Sequence, residues 1–269
     1  MDRQSEIERL YDAYVDAYRG VDGELPPMMR LKRVHTAHVV ANAEAIADGE
    51  GFGPLERETA LAAALLHDAG RYEQLLRYNT FRDSDSVDHA RLSHDIVKEK
   101  GWLSAAGVAR PDAVLAAILC HNRRDIPEGL DTVALVAAET VRDADKLDIF
   151  RVLETQLSTT DWHGDSTAFW NLSCDAPPNP VVVDDIENRR PVDYQNIKSL
   201  SDFVLIQLGW MVSGLEFATS RRLCAERGHA AFRRKFLHSL VDSPAIDIIC
   251  DMAERSLSGG RPPDKKENK

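Results

Sequence analysis

With 269 residues, the chain is long enough to bury a substantial core, and its length predicts one large domain or at most two. A content of 43% hydrophobic and 29% charged residues excludes a wholly disordered chain. The net charge of −11, from 33 basic and 44 acidic side chains, argues against a protein that holds extended nucleic acid on a broad phosphate-binding surface.

Signals for export or membrane insertion are missing from the sequence pattern. No apolar run reaches the roughly 18 residues that a transmembrane helix needs. Residues 1–6 lack the basic and apolar regions of a signal peptide, so we expect a cytoplasmic protein without membrane association. The cysteines are widely spaced and form no CxxC pair, which favours reduced thiols over a disulfide framework; they are Cys120, Cys174, Cys224 and Cys250.

Helical spacing of apolar residues begins close to the N-terminus. It predicts a first helix at 5–19 and a second at 28–47, followed by an acidic, glycine-rich loop at 48–53. The next helix, from Glu58 to Leu66, is apolar on every side, which is typical of a helix at the centre of a domain. Three further helices are predicted at 88–100, 111–121 and 132–156.

The rest of the chain is predicted to be helical after one long interruption. Residues 158–196 are rich in Pro, Asp and Asn and predict an irregular loop, of a length that often forms a lid or the wall of a site. We expect helices between 197 and 257 to pack on the same domain as the helical core at 1–157, and 258–269 to be a disordered tail. Strand alternation is nearly absent, so the predicted fold class is all-α.

Polar residues inside apolar helical stripes are the main functional signal. His67 and Asp68 follow the apolar central helix, where a buried carboxylate needs a cationic partner or a metal. The alternative is a helix end that emerges into water at Gly70. In the long helix, Asp145 lies on the apolar stripe and is expected to face inward, whereas Asp143 lies on the predicted solvated face. A buried salt bridge is an equally good interpretation of Asp145 alone.

Several histidines have two interpretations each. His35 and His38 lie on the second helix, and either ring could face the core. His121 ends an apolar helix, and His89 lies at a predicted helix start. A single histidine on an apolar face is more often a hydrogen-bonded core residue than a ligand.

The combination of these residues favours a metal site. His35, the pair His67 and Asp68, and Asp145 come from three helices and are each expected to point inward. Neutral and anionic groups of this kind have no reason to converge without a cation. Imidazole and carboxylate ligands without a thiolate suit one or two ions of Mn, Fe, Co, Ni or Zn.

Three segments carry a specific resemblance. They are His35-Thr36-Ala37-His38-Val39, Leu65-Leu66-His67-Asp68-Ala69-Gly70-Arg71 and Arg142-Asp143-Ala144-Asp145-Lys146-Leu147-Asp148. This ordered pattern resembles the HD superfamily of metal-dependent phosphohydrolases. The resemblance implies a multi-helix bundle with additional C-terminal helices, and it implies metal ligation by His35, His67, Asp68 and Asp145. Between the last two segments it offers His89 and His121 as ligands of a second metal, with phosphate contact as the alternative.

The resemblance also implies an activity. We expect a metal-dependent hydrolase that cleaves a phosphate mono- or diester of a nucleotide-like small molecule, in which Asp68 bridges two metals or accepts a proton from water. Arg71 and Lys146 would stabilise charge on the phosphoryl group, and Arg123 would contact substrate. The competing hypothesis is a non-catalytic helical domain that senses a ligand or a protein. A homodimer fits both hypotheses.

Overall fold

Helices make up the regular structure of the described chain. The computed structural model describes residues 3–159, 172–174 and 176–259, and these ranges contain no strand apart from an isolated bridge between Ser173 and Ser199. The predicted all-α class is confirmed. Within the same ranges, no helix has both the length and the apolar character needed to cross a membrane.

The chain divides into two compact units, Met1–Asp148 and Ile149–Lys269. The first unit contains α1 (Arg3–Asp16), α2 (Pro27–Glu50), α3 (Pro54–Leu66), α4 (Gly70–Tyr78), α5 (His89–Glu99), α6 (Trp102–Ala105) and α7 (Pro111–Cys120). Helix α8 (Thr132–Thr159) begins in the first unit and ends in the second. The second unit continues with α9 (Pro180–Glu187), α10 (Leu200–Ser213), α11 (Ala218–Glu226), α12 (His229–Leu240) and α13 (Pro244–Leu257).

Helix α3 is the central element of the first unit. Pro54 occupies its first turn, where a missing N–H costs nothing, and the Glu56 carboxylate accepts the N–H of Gly53 at 2.9 Å. Alanine and leucine then continue the helix, and its residues from Thr59 to Leu66 are all buried. The helix packs against α1, α2 and α7. Its C-terminal end is therefore delivered into the interior of the unit.

The chain stays buried after α3. Instead of emerging into water at Gly70, it turns through 67–69 and begins α4 at Gly70 itself. A Cβ atom on Gly70 would lie 2.6 Å from the Ser93 backbone N and 2.9 Å from the His89 carbonyl O. Glycine is therefore needed here because α4 approaches the backbone of α5 closely, and not because a helix ends.

Helix α1 contacts the turn at 67–69 and stabilises it. The Tyr14 hydroxyl donates a hydrogen bond of 3.0 Å to the carbonyl O of Ala69. Its ring also makes edge contacts with Trp102 and Tyr72, at centroid distances of 5.2 and 6.0 Å. An aromatic layer between α1, α4 and α6 thus fixes the turn after α3.

The predicted and observed elements differ at α2 and at α9. Helix α2 extends to Glu50, so it includes the first part of the loop predicted at 48–53 and ends at Gly51 in the left-handed conformation. Helix α9 lies within the segment predicted as an irregular loop; Pro180 is in its first turn, and the Asn179 side chain accepts the N–H of Val181. Residues 160–171 of that loop and 260–269 of the predicted tail lie outside the described residues.

The second unit has its own buried polar cluster. Arg233 is fully buried and donates hydrogen bonds to Glu154 Oε1 at 2.5 Å and to Gln207 Oε1 at 2.7 Å. Its guanidinium also lies 4.6 Å from the Phe150 ring centroid. The partners compensate the cost of burying this charge. The predicted packing of the C-terminal helices on a core at 1–157 stays a prediction.

Candidate metal centre

Six side chains with the chemistry of metal ligands converge in the first unit. Helix α2 provides His35, and the turn after α3 provides His67 and Asp68. His89 lies at the start of α5, His121 at the end of α7, and Asp145 on α8. All are buried except Asp145, whose side chain is 17% exposed. Each of these residues is a candidate ligand predicted from the sequence, and the structure brings them together.

The first group is formed by His35, His67 and Asp145. Its ligand atoms all lie within 4.8 Å of one another. Asp145 Oδ1 is 3.0 Å from His35 Nε2 and 3.9 Å from His67 Nε2. Asp68 Oδ2 faces the same group, at 3.7 Å from His35 Nε2 and 3.5 Å from His67 Nε2.

The second group is formed by Asp68, His89 and His121, again with ligand atoms within 4.8 Å of one another. Asp68 Oδ1 lies 3.6 Å from His89 Nε2 and 3.8 Å from His121 Nε2. The two oxygens of Asp68 therefore face different groups. A carboxylate in this position could bridge two cations.

The other ring nitrogen of each histidine is held by an outer partner. Nδ1 of His35 lies 2.7 Å from Asp148 Oδ2, and Nδ1 of His89 lies 2.5 Å from Asp83 Oδ2. Nδ1 of His67 and of His121 each lies 2.7 Å from a backbone carbonyl O, that of Ala64 and of Ile118. A carbonyl can only accept, so these two rings carry their proton on Nδ1. Partners of this type orient metal-binding histidines and leave Nε2 available as a ligand.

Two buried polar atoms without partners indicate that these residues fit a metal ion. His67 Nε2 and Asp68 Oδ1 are both buried, and neither has a hydrogen-bond partner in the described part of the chain. Leaving such a group unpartnered costs about 1–3 kcal/mol, so native proteins seldom do it without a bound ion or water. Imidazole nitrogens and carboxylate oxygens suit a divalent transition metal. The donor set fits such an ion.

The pKa directions agree with this interpretation. Burial lowers the pKa of His67, and burial together with the neighbouring His89 and His67 lowers the pKa of His121 to about 3. Burial alone would raise the pKa of Asp145, but His35 and the other histidines lower it below its ordinary value. His67, His121 and Asp145 are therefore held in their deprotonated, ligating forms.

His35 has the opposite shift. Burial and the charge of Lys32 oppose protonation of its ring, yet hydrogen bonds to Asp145 and Asp148 raise its pKa above the ordinary value. The imidazole lies between two carboxylates and can donate to both. A metal ion would displace the proton on Nε2.

Lys32 is a member of the site that the sequence interpretation missed. Its Nζ donates to Asp68 Oδ2 at 2.7 Å. Burial would raise the pKa of Asp68, but Lys32 and the other neighbouring cations hold it well below the ordinary value. Its position in the sequence could have indicated this role, because Lys32 precedes His35 by about one helical turn and lies on the same face of α2.

Of the predicted substrate residues, Arg71 lies closest to the cluster. Its Nε is 3.5 Å from Asp68 Oδ1, while Nη1 donates to the Phe81 carbonyl, Gln74 and Asp83. Lys146 Nζ lies 4.0 Å from Asp143 Oδ1. Arg123 is exposed, and in the described chain no hydrogen bond or ion pair joins its side chain to the cluster. The roles predicted for these three residues stay predictions.

Two expectations about helix faces are settled. His38 is exposed, so His35 is the member of that pair in the cluster. Asp143 was expected on a solvated face of the long helix, and this is wrong because Asp143 is fully buried. Helix α8 is covered on several sides along this stretch, and Thr140 and Ala144 are fully buried as well. Helical periodicity cannot predict a solvated face for a helix that is covered in this way.

Comparison with known proteins agrees with this geometry. The family model described as HD domain matches residues 34–149. Over these residues, which are less than half of the chain, the protein is similar to HD domains. All six residues of the cluster lie within the matched range, while α1, Lys32 and most of the second unit lie outside it. HD domains are largely metal-dependent hydrolases, and the two His and Asp groups could hold divalent metal. No curated protein and no solved structure matches the chain.

Proposed function

We propose that this protein is a metal-dependent phosphohydrolase that cleaves a phosphate mono- or diester of a nucleotide-like small molecule. The observation that carries the proposal is the position of Asp68, whose two oxygens face two separate ligand groups. His35, His67 and Asp145 would hold one divalent ion, His89 and His121 a second, and Asp68 would contact both.

The metal would be Mn, Fe, Co, Ni or Zn, because these ions accept mixed imidazole and carboxylate ligands. When bound, such a metal lowers the pKa of coordinated water from about 16 toward about 7 and polarises a phosphoryl oxygen. The chain itself supplies the geometry: the outer partners of the four rings keep each Nε2 directed at the centre.

Cations beside the ligands support a phosphorylated substrate. Arg71 Nε is buried, points toward Asp68 and has no hydrogen-bond partner in the described residues. A guanidinium in this position can stabilise charge that develops on a phosphoryl oxygen. Lys146 remains a proposed second cation. The half-buried Phe81 ring beside Arg71 offers an apolar surface for a base, which favours a nucleotide-like substrate.

The test combines metal analysis with turnover. Protein purified without chelator is assayed for bound metal and for hydrolysis of phosphate monoesters, diesters and a nucleotide panel. The rate of hydrolysis is expected to fall by more than about a hundredfold in Asp68→Ala, because mutation of even an outer partner of a metal ligand lowers activity or metal affinity about 10–100-fold. Asp95→Ala is the matched control, because Asp95 also follows a histidine but is exposed and bonded to His94 and Arg91.

Two results would contradict the proposal. Activity that survives Asp68→Ala would remove Asp68 from the mechanism. Bound metal without hydrolysis of any ester would favour the alternative, a non-catalytic HD-fold domain that senses a ligand or a protein. A homodimer and a cytoplasmic location stay predictions from the sequence.

A further inference from the structure

Lys32 has spare hydrogen-bonding capacity at the edge of the cluster. Its ammonium group has three N–H donors. One donates to Asp68 Oδ2 at 2.7 Å, and the Phe81 ring centroid lies 5.5 Å from Nζ. In the described residues no other acceptor lies within hydrogen-bonding distance of Nζ. Two donors are therefore left for a group that the described residues do not provide.

Solvent reaches the cluster beside Lys32. The side chains of His35, His67, Asp68, His89 and His121 are at most 8% exposed. The side chains of Lys32 and Asp145 are 18% and 17% exposed. Of these two more exposed side chains, the Asp145 carboxylate repels an anion that approaches from solvent, and the Lys32 ammonium attracts it.

The other cations near the site are more restricted. Arg71 Nη1 is held by the Phe81 carbonyl at 2.6 Å and by Gln74 at 2.7 Å, which fixes the guanidinium against its own loop. Lys146 Nζ lies 4.0 Å from Asp143 Oδ1. Lysine is a point charge on a flexible four-carbon stem, so Lys32 can follow a phosphoryl group that arginine held in this way cannot.

We propose that Lys32 binds the phosphoryl group of the substrate, an inference that rests on the phosphohydrolase function proposed above. A metal at Asp68 competes with the ammonium group for the same carboxylate oxygen. If that oxygen were a metal ligand, the donor of Lys32 that Asp68 now accepts would also be available to a phosphoryl oxygen. Lys32 would then exchange an internal anion for the anion of the substrate.

The experiment measures binding of inorganic phosphate to the metal-loaded protein by calorimetry. Lys32→Met and Lys32→Gln both remove the charge, and Gln can still donate to Asp68, which protects the fold. We expect phosphate affinity to fall about 10–100-fold in both, the effect of losing a charge-assisted hydrogen bond. Lys32→Arg should lose less. Lys98→Met, which removes an exposed charge from α5, is the control and should bind phosphate normally.

Metal content and ester hydrolysis, measured on the same samples, separate the possible outcomes. Neutral variants that keep their metal and bind phosphate as well as wild type would overturn the proposal. Tighter metal binding with unchanged phosphate binding would also overturn it, because Lys32 would then be only a counter-ion for Asp68. Hydrolysis with a KM unaffected by Lys32→Gln would refute this inference alone. Charge-dependent phosphate binding without hydrolysis would support Lys32 while the proposed function failed.

Discussion

His89 Nε2 and His121 Nε2 lie 2.9 Å apart in the interior of the first unit. The carbonyl of Ile118 requires the proton of His121 on Nδ1, and Asp83 accepts from Nδ1 of His89. Two neutral rings held in this way would direct one lone pair at the other. The contact is favourable only if an additional proton lies between the rings or if a cation takes both lone pairs.

The first prediction follows for His121→Gln. If the two nitrogens hold a second ion, this variant should bind one metal equivalent fewer than wild type, because one of three protein ligands of the second group is gone. Metal analysis of both proteins measures the difference. His94→Gln, which alters a ring bonded to Asp95 outside the cluster, is the control. Unchanged metal content with a raised KM would assign His121 to phosphate contact instead.

The second prediction concerns Asp83, which the sequence analysis did not select. It accepts from His89 Nδ1 at 2.5 Å and from Arg71 at 3.0 Å, and His89 lowers its pKa to about 2 although burial opposes the shift. Asp83→Asn should weaken metal affinity about 10–100-fold, because a neutral amide replaces the carboxylate that orients His89 and increases the basicity of its ring as a ligand. Asp85→Asn, which changes an exposed carboxylate two residues further along the same connection between α4 and α5, should bind metal normally. Equal affinities for the two variants would contradict an orienting role.

The third prediction concerns Gly70. An alanine Cβ would press on the backbone of α5 at Ser93 and His89, so Gly70→Ala should lower the free energy of unfolding by about 1–3 kcal/mol or more. Urea denaturation measures the loss. At Gly53 the nearest atom would be 3.5 Å from a new Cβ, and Gly53→Ala should change stability by less than about 1 kcal/mol. Similar losses of unfolding free energy in both variants would show that the close approach of α4 to α5 does not require glycine at position 70.

The fourth prediction is acid sensitivity of the metal-free protein. His67 and His121 have lowered pKa values when folded, so below about pH 6.5 the unfolded chain binds protons that the folded chain does not. Stability should therefore be fully present above that pH and fall as the pH drops, with the His121 contribution ending at about 3. Each such proton contributes a slope of up to about 1.4 kcal/mol per pH unit.

Urea denaturation between about pH 7 and pH 5 tests this dependence. His121→Gln removes one of the two titrating groups and should show a shallower slope than wild type. Parallel slopes would contradict the assignment. The raised pKa of His35 acts in the opposite direction, so the measured slope is a net value.

The fifth prediction concerns the second unit. Arg233→Met leaves Glu154 without its buried cation and should cost about 3–5 kcal/mol of stability. The next residue provides the control: Arg234 pairs with Asp247, Asp251 and Glu254 at the surface, and Arg234→Met should cost less than about 1 kcal/mol. Comparable thermal shifts in both variants would contradict the importance of the buried pair.

Much of the site was predictable from sequence because two independent patterns agree. The apolar stretch before His67 and the stripe around Asp145 both direct polar groups inward, and the spacing of the three segments resembles a known family. The role of His89 and His121 as ligands of a second metal is predicted only by that resemblance. Their pairing at 2.9 Å depends on how α5 packs against α7, which helical periodicity does not determine.

The residues that were missed or misread have a common physical cause. Lys32 resembles an ordinary surface lysine, and Asp83 lies in a connection where no helical period applies. Helical periodicity places Asp143 on a solvated face only if α8 has one exposed side, but neighbouring residues bury this stretch of the helix on several sides. Each depends on long-range packing, which local sequence patterns do not contain.

The hydrogen bond from Tyr14 to Ala69 sets a practical limit on how this protein can be shortened. A polypeptide cut to residues 34–149 would match the family over its whole length, yet it would lack α1 and Lys32. The apolar surface beside the turn at 67–69 would then face water, and Asp68 would lose the ammonium group that lies 2.7 Å from its Oδ2. The residues that match the family and the residues that a stable protein needs are therefore different, and a shortened protein that keeps the metal cluster has to include α1.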